Sequence, residues 1–214
     1  MAKFLHNFLS LQTYPRIELD GARYYDTPAG KFKSVTTILG EKLDKSGLQA
    51  WRDAVGEEEA KKVLVQAGIR GTAVHSIAES YVLNKPDWKK GVMPSNLDSF
   101  LKLKPILDAN LGSVYGIEQT LYSAKLKAAG TCDLLAGFAG YNSIVDYKTS
   151  RKLKKEEHIL GYFLQATSYS IMAEELTGLQ FPQIVILISV DHEQPQIFIK
   201  RAADYHSMVF DIFK

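Results

Sequence analysis

Residues 130–149, GTCDLLAGFAGYNSIVDYKT, read as two strands joined by a tight turn, and that reading decides the fold. Side chains alternate along a strand, so within residues 144–149 Asp146 and Lys148 share one face while Val145 and Tyr147 take the other. A turn around Gly140, Tyr141 and Asn142 lays the two strands side by side and brings Asp133 next to Asp146. Carboxylates held that close repel each other, and a divalent ion such as Mg²⁺ or Mn²⁺ relieves the repulsion. Lys148 adds a compact charge able to orient a water nucleophile or to balance charge growing on a phosphate. Aspartates at strand ends and Asp-x-Lys triplets also occur as solvated faces of edge strands, so the pattern takes its meaning from its surroundings.

Working outward, residues 114–122, 124–136 and 144–149 read as three consecutive strands. A long helix over about 156–176 follows and ends at Gly178. Residues 184–190 form a continuous apolar run, the mark of a buried central strand, with 196–200 as its partner and a short C-terminal helix after it. Upstream, RIELDGARYYD at 16–26 carries an Asp-Gly turn between two alternating runs, a hairpin signal. An extended or turning segment leads into 34–39. Residues 47–67 are helical, divided at Gly56, and a separate helix opened by Gly71-Thr72 spans 70–83. A loop and a helix over about 96–111 complete the front. The expected class is α/β, an α+β mixed sheet with core order αβββαβ. It forms one domain over 1–214: an N-terminal hairpin and helical elaboration at 1–69, a core at 70–200 and a C-terminal helix at 201–214.

The chain of 214 residues is 46% hydrophobic and 23% charged, ordinary for a globular protein and far from a disordered composition. No apolar run is long enough to span a bilayer, and the N-terminus lacks a cleavage site, so the expectation is a cytoplasmic, non-secreted protein without membrane partners. A net charge of +2 does not by itself indicate nucleic acid. Local clustering does more: Arg151, Lys152, Lys154 and Lys155 follow the Asp-Lys strand directly, although such a run is also what a solvated loop looks like. Cys132 is the single cysteine, which excludes an internal disulfide framework and a four-cysteine iron–sulfur cluster within this chain.

Three further groups bear on chemistry. His75 and Glu79, four apart, lie on one helix face. A histidine with two aspartates and an open water position suits a hard metal, although a histidine among Val74, Ile77 and Ala78 also serves as a core residue. Glu118, on the strand before that of Asp133, is placed either to approach a metal or its water or to face solvent. Gln165 and Tyr169 close a stripe with His158, Tyr162 and Met172 that packs on a sheet or, at its end, meets a phosphate or base. Trp51 reads first as a core anchor of an amphipathic helix and second as a nucleic-acid contact.

In order, Gly71-Thr72-Ala73-Val74-His75, Gly130-Thr131-Cys132-Asp133, Asp146-Tyr147-Lys148-Thr149 and Gln165-Ala166-Thr167-Ser168-Tyr169 resemble the motifs of the RecB-type branch of the PD-(D/E)xK nuclease superfamily. With Ser34 to Leu39 and Trp51 ahead of them, they are similar to tailed-phage exonucleases and mitochondrial genome-maintenance exonucleases. The resemblance covers roughly 70–177, reaching back loosely to 34. It implies that His75, Asp133, Asp146 and the main-chain carbonyl of Tyr147 bind Mg²⁺ or Mn²⁺, and that Lys148 orients the attacking water. It implies catalytic roles for Asp133, Asp146 and Lys148, support from Glu79, and DNA contacts from Gln165 and Tyr169; Glu118 and Thr149 are further supporting candidates from their positions. Arg70, Arg151, Lys152 and Lys154 are further candidate DNA contacts. The implied activity is a DNA exonuclease acting on single-stranded ends in phage or bacterial replication, recombination or repair, beside a single-strand annealing or replication protein. The cluster-bearing relatives are disfavoured by the cysteine count. The alternatives are a structure-specific endonuclease on the same core, a catalytically inactive nucleic-acid-binding module, and a metal hydrolase of a small substrate.

Overall fold

The computed structural model describes residues 3–214. The Asp-Gly signal gives β1 (Arg16–Leu19) and β2 (Ala22–Thr27), joined through Asp20 and Gly21, both in the left-handed region. Two such residues match the right-handed twist of the strands they connect. β3 (Gly30–Ser34) then feeds α1 (Val35–Lys42). The β-branched run after Ser34 favours an extended reading, but the Ser34 side chain accepts a hydrogen bond from the Thr37 N–H and caps a helix instead. Val35 and Leu39 are buried in the core, and that packing outweighs local propensity.

α2 (Ser46–Val55) and α3 (Glu57–Val82) follow, broken at Gly56 as its φ of 86° requires. The expected second break near residue 68 is not there, and α3 continues for 26 residues. Gly68 and Gly71 are accommodated because the helix's C-terminal half buries Val74, Ile77, Ala78 and Val82, which outweighs the small helical cost of glycine. Trp51 is only half-buried, and α2 buries no residue, so it is not a core anchor. α4 (Pro94–Asn110) leads to the three long strands β4 (Leu111–Ser123), β5 (Ala128–Phe138) and β6 (Tyr141–Ser150). The β5–β6 turn is Ala139-Gly140, both at positive φ, one residue earlier than the sequence suggests. α5 (Leu160–Thr177) ends at left-handed Gly178, before β7 (Gln183–Val190), β8 (Gln196–Arg201) and α6 (His206–Ile212).

The strands make one mixed sheet in the order β1-β2-β3-β5-β6-β7-β8, with β4 on the other edge of β5. β7 runs parallel to β6 and is buried throughout apart from its first residue, as its apolar run predicts. One core packs α1, α5 and α6 on one face of the sheet; a second packs α3 and α4 on the other. The chain segment before β1 belongs to the fold: Phe4 is buried, and Asn7 and Leu9 donate backbone hydrogen bonds to β4. Among the described residues no helix is long and apolar enough to cross a membrane.

One irregularity positions everything that follows. The β5–β6 ladder runs from Phe138↔Tyr141 to Leu134↔Val145 and stops. Further toward its start, the same edge of β5 is taken by β3, which pairs in parallel through Ala128 and Ala129. Residues 130–133 between these two partners have no strand beside them on that edge, and a cleft opens there.

Candidate metal centre and cleft

The gap is kept open by the residues that line it. Carried one step further, the β5–β6 register would set Asp133 opposite Asp146. Two carboxylates directly opposed are unfavourable, and the Asp133 side chain instead accepts the Tyr147 N–H at 2.8 Å. On the other side of β5, the pairs Ile117↔Leu134 and Gln119↔Cys132 flank Glu118 and Asp133, which do not pair. Glu118 has φ of 46°, a left-handed conformation inside a strand. Such a conformation in a residue with a Cβ costs about 1–2 kcal/mol. At Gly130 an added Cβ would lie 2.7 Å from Cε1 of Tyr169, so only glycine lets α5 bring that ring against the strand.

Into this gap α3 places His75. Its Nε2 lies 2.8 Å from the Tyr147 carbonyl oxygen. A carbonyl only accepts, so Nε2 carries the proton and Nδ1 faces the acids, 3.4 Å from Asp133 and 4.0 Å from Glu118. This is the arrangement by which a metal-binding histidine is held: one ring nitrogen donates to a backbone carbonyl and the other is presented to the ion. His75, Glu118 and Asp133 offer ligand atoms that all lie within 4.8 Å of one another. Nitrogen and carboxylate oxygens of this kind suit a divalent ion, and the charges fit one too. Burial opposes a charge on His75, but the carboxylates of Asp133 and Asp146 outweigh it and lift the ring to about 9. Burial and the Asp133 charge push Glu118 up to about 7. Burial also works against the Asp133 carboxylate, yet its hydrogen bond to His75 holds it below the usual range. The metal-free cluster thus retains protons that a cation would displace.

Asp146 is almost completely buried and is not one of that trio. Gln165 on α5 donates to its Oδ1 at 3.2 Å, and Lys148 forms an ion pair with its Oδ2. That oxygen is buried and has the lysine ammonium as its neighbour. Burial, reinforced by Asp133, raises Asp146 above the normal carboxylate range although Lys148 opposes the shift. Burial works against the Lys148 charge, and the two aspartates overcome it and hold the ammonium protonated. The Lys148 Nζ lies 5.0 Å from the Tyr162 ring centroid, a cation–π contact from α5. Asp146 and Lys148 therefore share a face, as the alternation predicts, and Tyr147 turns its ring into the opposite core.

The cleft has a volume of about 550 Å³ and is lined from both sides of the sheet: Ser76 and Glu79 from α3, Gln165 and Tyr169 from α5, Gly130 and Thr131 on the floor. Thr149 lies beside α3, its hydroxyl 4.0 Å from where a Gly71 Cβ would sit. The Tyr147 carbonyl, expected to face a metal, accepts from His75. Tyr169 is largely buried, packed on Gly130 at the cleft wall. Arg70 pairs with Asp191 at 2.5 Å in a neighbouring cavity, and Arg151 donates to Gln66 at 3.0 Å. Lys152 is exposed, and Lys154 is fixed through its backbone by Gln196. None of these four cationic side chains lines the cleft.

The sequence reading missed Arg16, Arg23 and Tyr25 on the hairpin, which do line it. The available signal was the strand alternation, which puts Arg16 and Arg23 on one hairpin face once the Leu19↔Ala22 register is set.

No family model matches the chain, and no curated protein matches it in sequence. Among solved structures, the chain is similar to a crystal structure of a protein from Eubacterium rectale that is provisionally described as an exonuclease, with 17% identity and a TM-score of 0.42. The match covers 67% of this chain and 63% of that one, so this chain spans less than two thirds of the neighbour's length. A likeness of this order fixes neither family nor chemistry.

Proposed function

We propose that this protein is a Mg²⁺- or Mn²⁺-dependent DNA exonuclease that hydrolyses phosphodiesters at single-stranded ends. The observation that carries the reading is the cluster of His75, Glu118 and Asp133 beside an open cleft that His75 and Glu118 line, with the buried Asp146–Lys148 pair behind it, tied to the cleft wall through Gln165. His75 through Nδ1, Glu118, Asp133 and Asp146 would hold the ion. When bound, such an ion polarises a phosphate oxygen and lowers the pKa of a water. Lys148 keeps its proton and stands beside Asp146 with Tyr162 beneath it, where its charge balances the negative charge that grows on the phosphate oxygens during attack. Gln165 fixes the rotamer of Asp146, and the Tyr147 carbonyl fixes the tautomer of His75. A pure binding module has no use for buried acids that repel phosphate, which speaks against an inactive scaffold.

The test incubates the purified protein, with and without Mn²⁺ or Mg²⁺, with linear and covalently closed circular single-stranded DNA. Metal-dependent loss of the linear strand alone is expected, abolished by Asp146→Ala or Lys148→Ala while binding in chelator persists. No cleavage of either substrate refutes the proposal, and cleavage of the circle replaces the exonuclease with an endonuclease. Substrates blocked at the 5′ or 3′ end then give the polarity.

A further inference from the structure

We infer that the β1–β2 hairpin is a phosphate clamp: Arg16 and Arg23 bind a phosphate of the same strand whose neighbouring phosphate lies at the metal centre. This rests on the nuclease reading and names how the strand is gripped. Arg16 lies opposite Tyr25 and Arg23 opposite Glu18, so the two arginines are diagonal neighbours on one hairpin face. Diagonal positions on paired strands are close enough for long side chains to converge on one group. Both arginines are exposed, both line the cleft with His75 and Glu118, and among the described residues neither is in an ion pair. Glu18 shares their face but makes no salt bridge with either. Two guanidinium groups that stay free beside a wall of acids are matched to an anion placed between them and that wall.

The hairpin is not a loose arm. Tyr25, next to Arg23 in alternation, is buried, and its hydroxyl meets the Thr131 hydroxyl at 3.0 Å on the cleft floor. The Asp26 N–H donates to the Pro15 carbonyl, and β3 carries the hairpin onto β5. The arginines are thus held against the same strand, β5, that carries Asp133. A compact cavity of 550 Å³ is about 10 Å across, wider than one phosphate group, so a phosphate held at the hairpin wall leaves space for another toward the acids. The bound group is either an internal phosphodiester or a terminal phosphate; the chemistry is the same.

The experiment measures binding of fluorescein-labelled dT12 in chelator by anisotropy across a salt series, for the wild type, Arg16→Ala/Arg23→Ala and Arg16→Lys/Arg23→Lys. Neutralising one phosphate on a single strand contributes about −0.7 to the log–log salt slope. The alanine pair should flatten the slope by about that amount and weaken binding about tenfold, with an unchanged melting temperature. The lysine pair should keep the slope and recover only part of the affinity. Oligonucleotides with one methylphosphonate at successive linkages, and others with or without an end phosphate, locate the contact. The wild type should lose affinity at one position to which the alanine pair is indifferent: an internal linkage or an end. An unchanged slope, or equal sensitivity of both proteins at every position, overturns the clamp. Hydrolysis is read separately with Mn²⁺. A wild type that never cleaves but shows the position-specific loss refutes the nuclease reading and leaves the clamp standing. One that cleaves while the alanine pair binds normally refutes the clamp alone.

Discussion

His75 should make the metal-free protein less stable as pH rises through neutrality, and metal should reverse this. The ring titrates at about 9 in the fold against 6.5 for an ordinary histidine. A pKa raised on folding contributes stability that is whole below the unfolded value and is lost as pH climbs through the folded one. Between pH 7 and 8.5 that loss is about 1–2 kcal/mol, allowing for the ring's 28% side-chain exposure. For a chain of this length it corresponds to roughly 2–8 °C in Tm. The other shifted groups contribute less in this window. Glu118 and Asp146 are acids raised on folding, so each likewise loses stability as pH climbs through its folded value, about 7 and about 6. The Asp146 loss is therefore nearly complete by pH 7 and Glu118 adds a smaller fall at the lower edge, while Asp133 acts under the ordinary carboxylate range and Lys148 above 10.5. Thermal unfolding in chelator should therefore fall across pH 7–8.5 in the wild type and fall clearly less in His75→Gln, where only the Glu118 contribution is left. With saturating Mn²⁺ the fall should vanish, because a metal-bound imidazole has already given up the competing proton, so the metal-induced rise in Tm grows with pH. A decline of equal size in His75→Gln, or a metal-induced rise independent of pH in the wild type, would refute the assignment of His75 as a protonated ligand.

Gly130→Ala should cost about 1–3 kcal/mol by overpacking against Tyr169, and nearly nothing in a Tyr169→Ala background; equal costs in denaturant unfolding of both would show that the contact is not the cause. Glu118→Gly should relieve the left-handed strain and stabilise the metal-free fold by about 0.5–1 kcal/mol after the entropy cost of glycine, while weakening Mn²⁺ binding in calorimetry more than tenfold. A destabilised variant with unchanged affinity contradicts both halves. Gln165→Met leaves Asp146 without its donor and should lower hydrolysis about 10–100-fold, the usual effect of losing a partner that orients a ligand; wild-type turnover would mean that Asp146 is positioned by Lys148 alone.

Much of this was legible because it is local. The strand pair holding Asp133 and Asp146 is set by alternation and a tight turn, and the same-face placement of Asp146 and Lys148 follows from the period of two. Gly178 stops α5 where expected, and Gly56 divides α2 from α3. What could not be read depends on contacts far apart in the chain. The unbroken α3 owes its continuity to burial against the sheet, which no window around Gly68 or Gly71 contains. Likewise, the insertion of β3 beside β5 joins Ser34 to Ala129, so the hairpin's place in the cleft, and with it Arg16 and Arg23, is invisible to local patterns. The cationic residues that did stand out in sequence, Arg70 and Arg151, are engaged by Asp191 and Gln66 instead.

The centre is made by pairing that fails in a particular place. A regular antiparallel ladder through residues 130–133 would have satisfied the backbone and set Asp133 against Asp146 on one side and Glu118 on the other, three acids without a counter-charge. The chain instead leaves the edge of β5 empty over those four residues, accepts a left-handed Glu118, and uses the Asp133 side chain as a substitute partner for the Tyr147 N–H. Local conflicts of this kind persist only where the surrounding packing is strong enough to impose them, and here it is: Leu134, Leu135, Ile144 and Val145 next to the gap are completely buried. The packing of the two cores offsets that cost, and on the proposed reading a bound cation would relieve it, so stability and catalysis should then depend on the same metal.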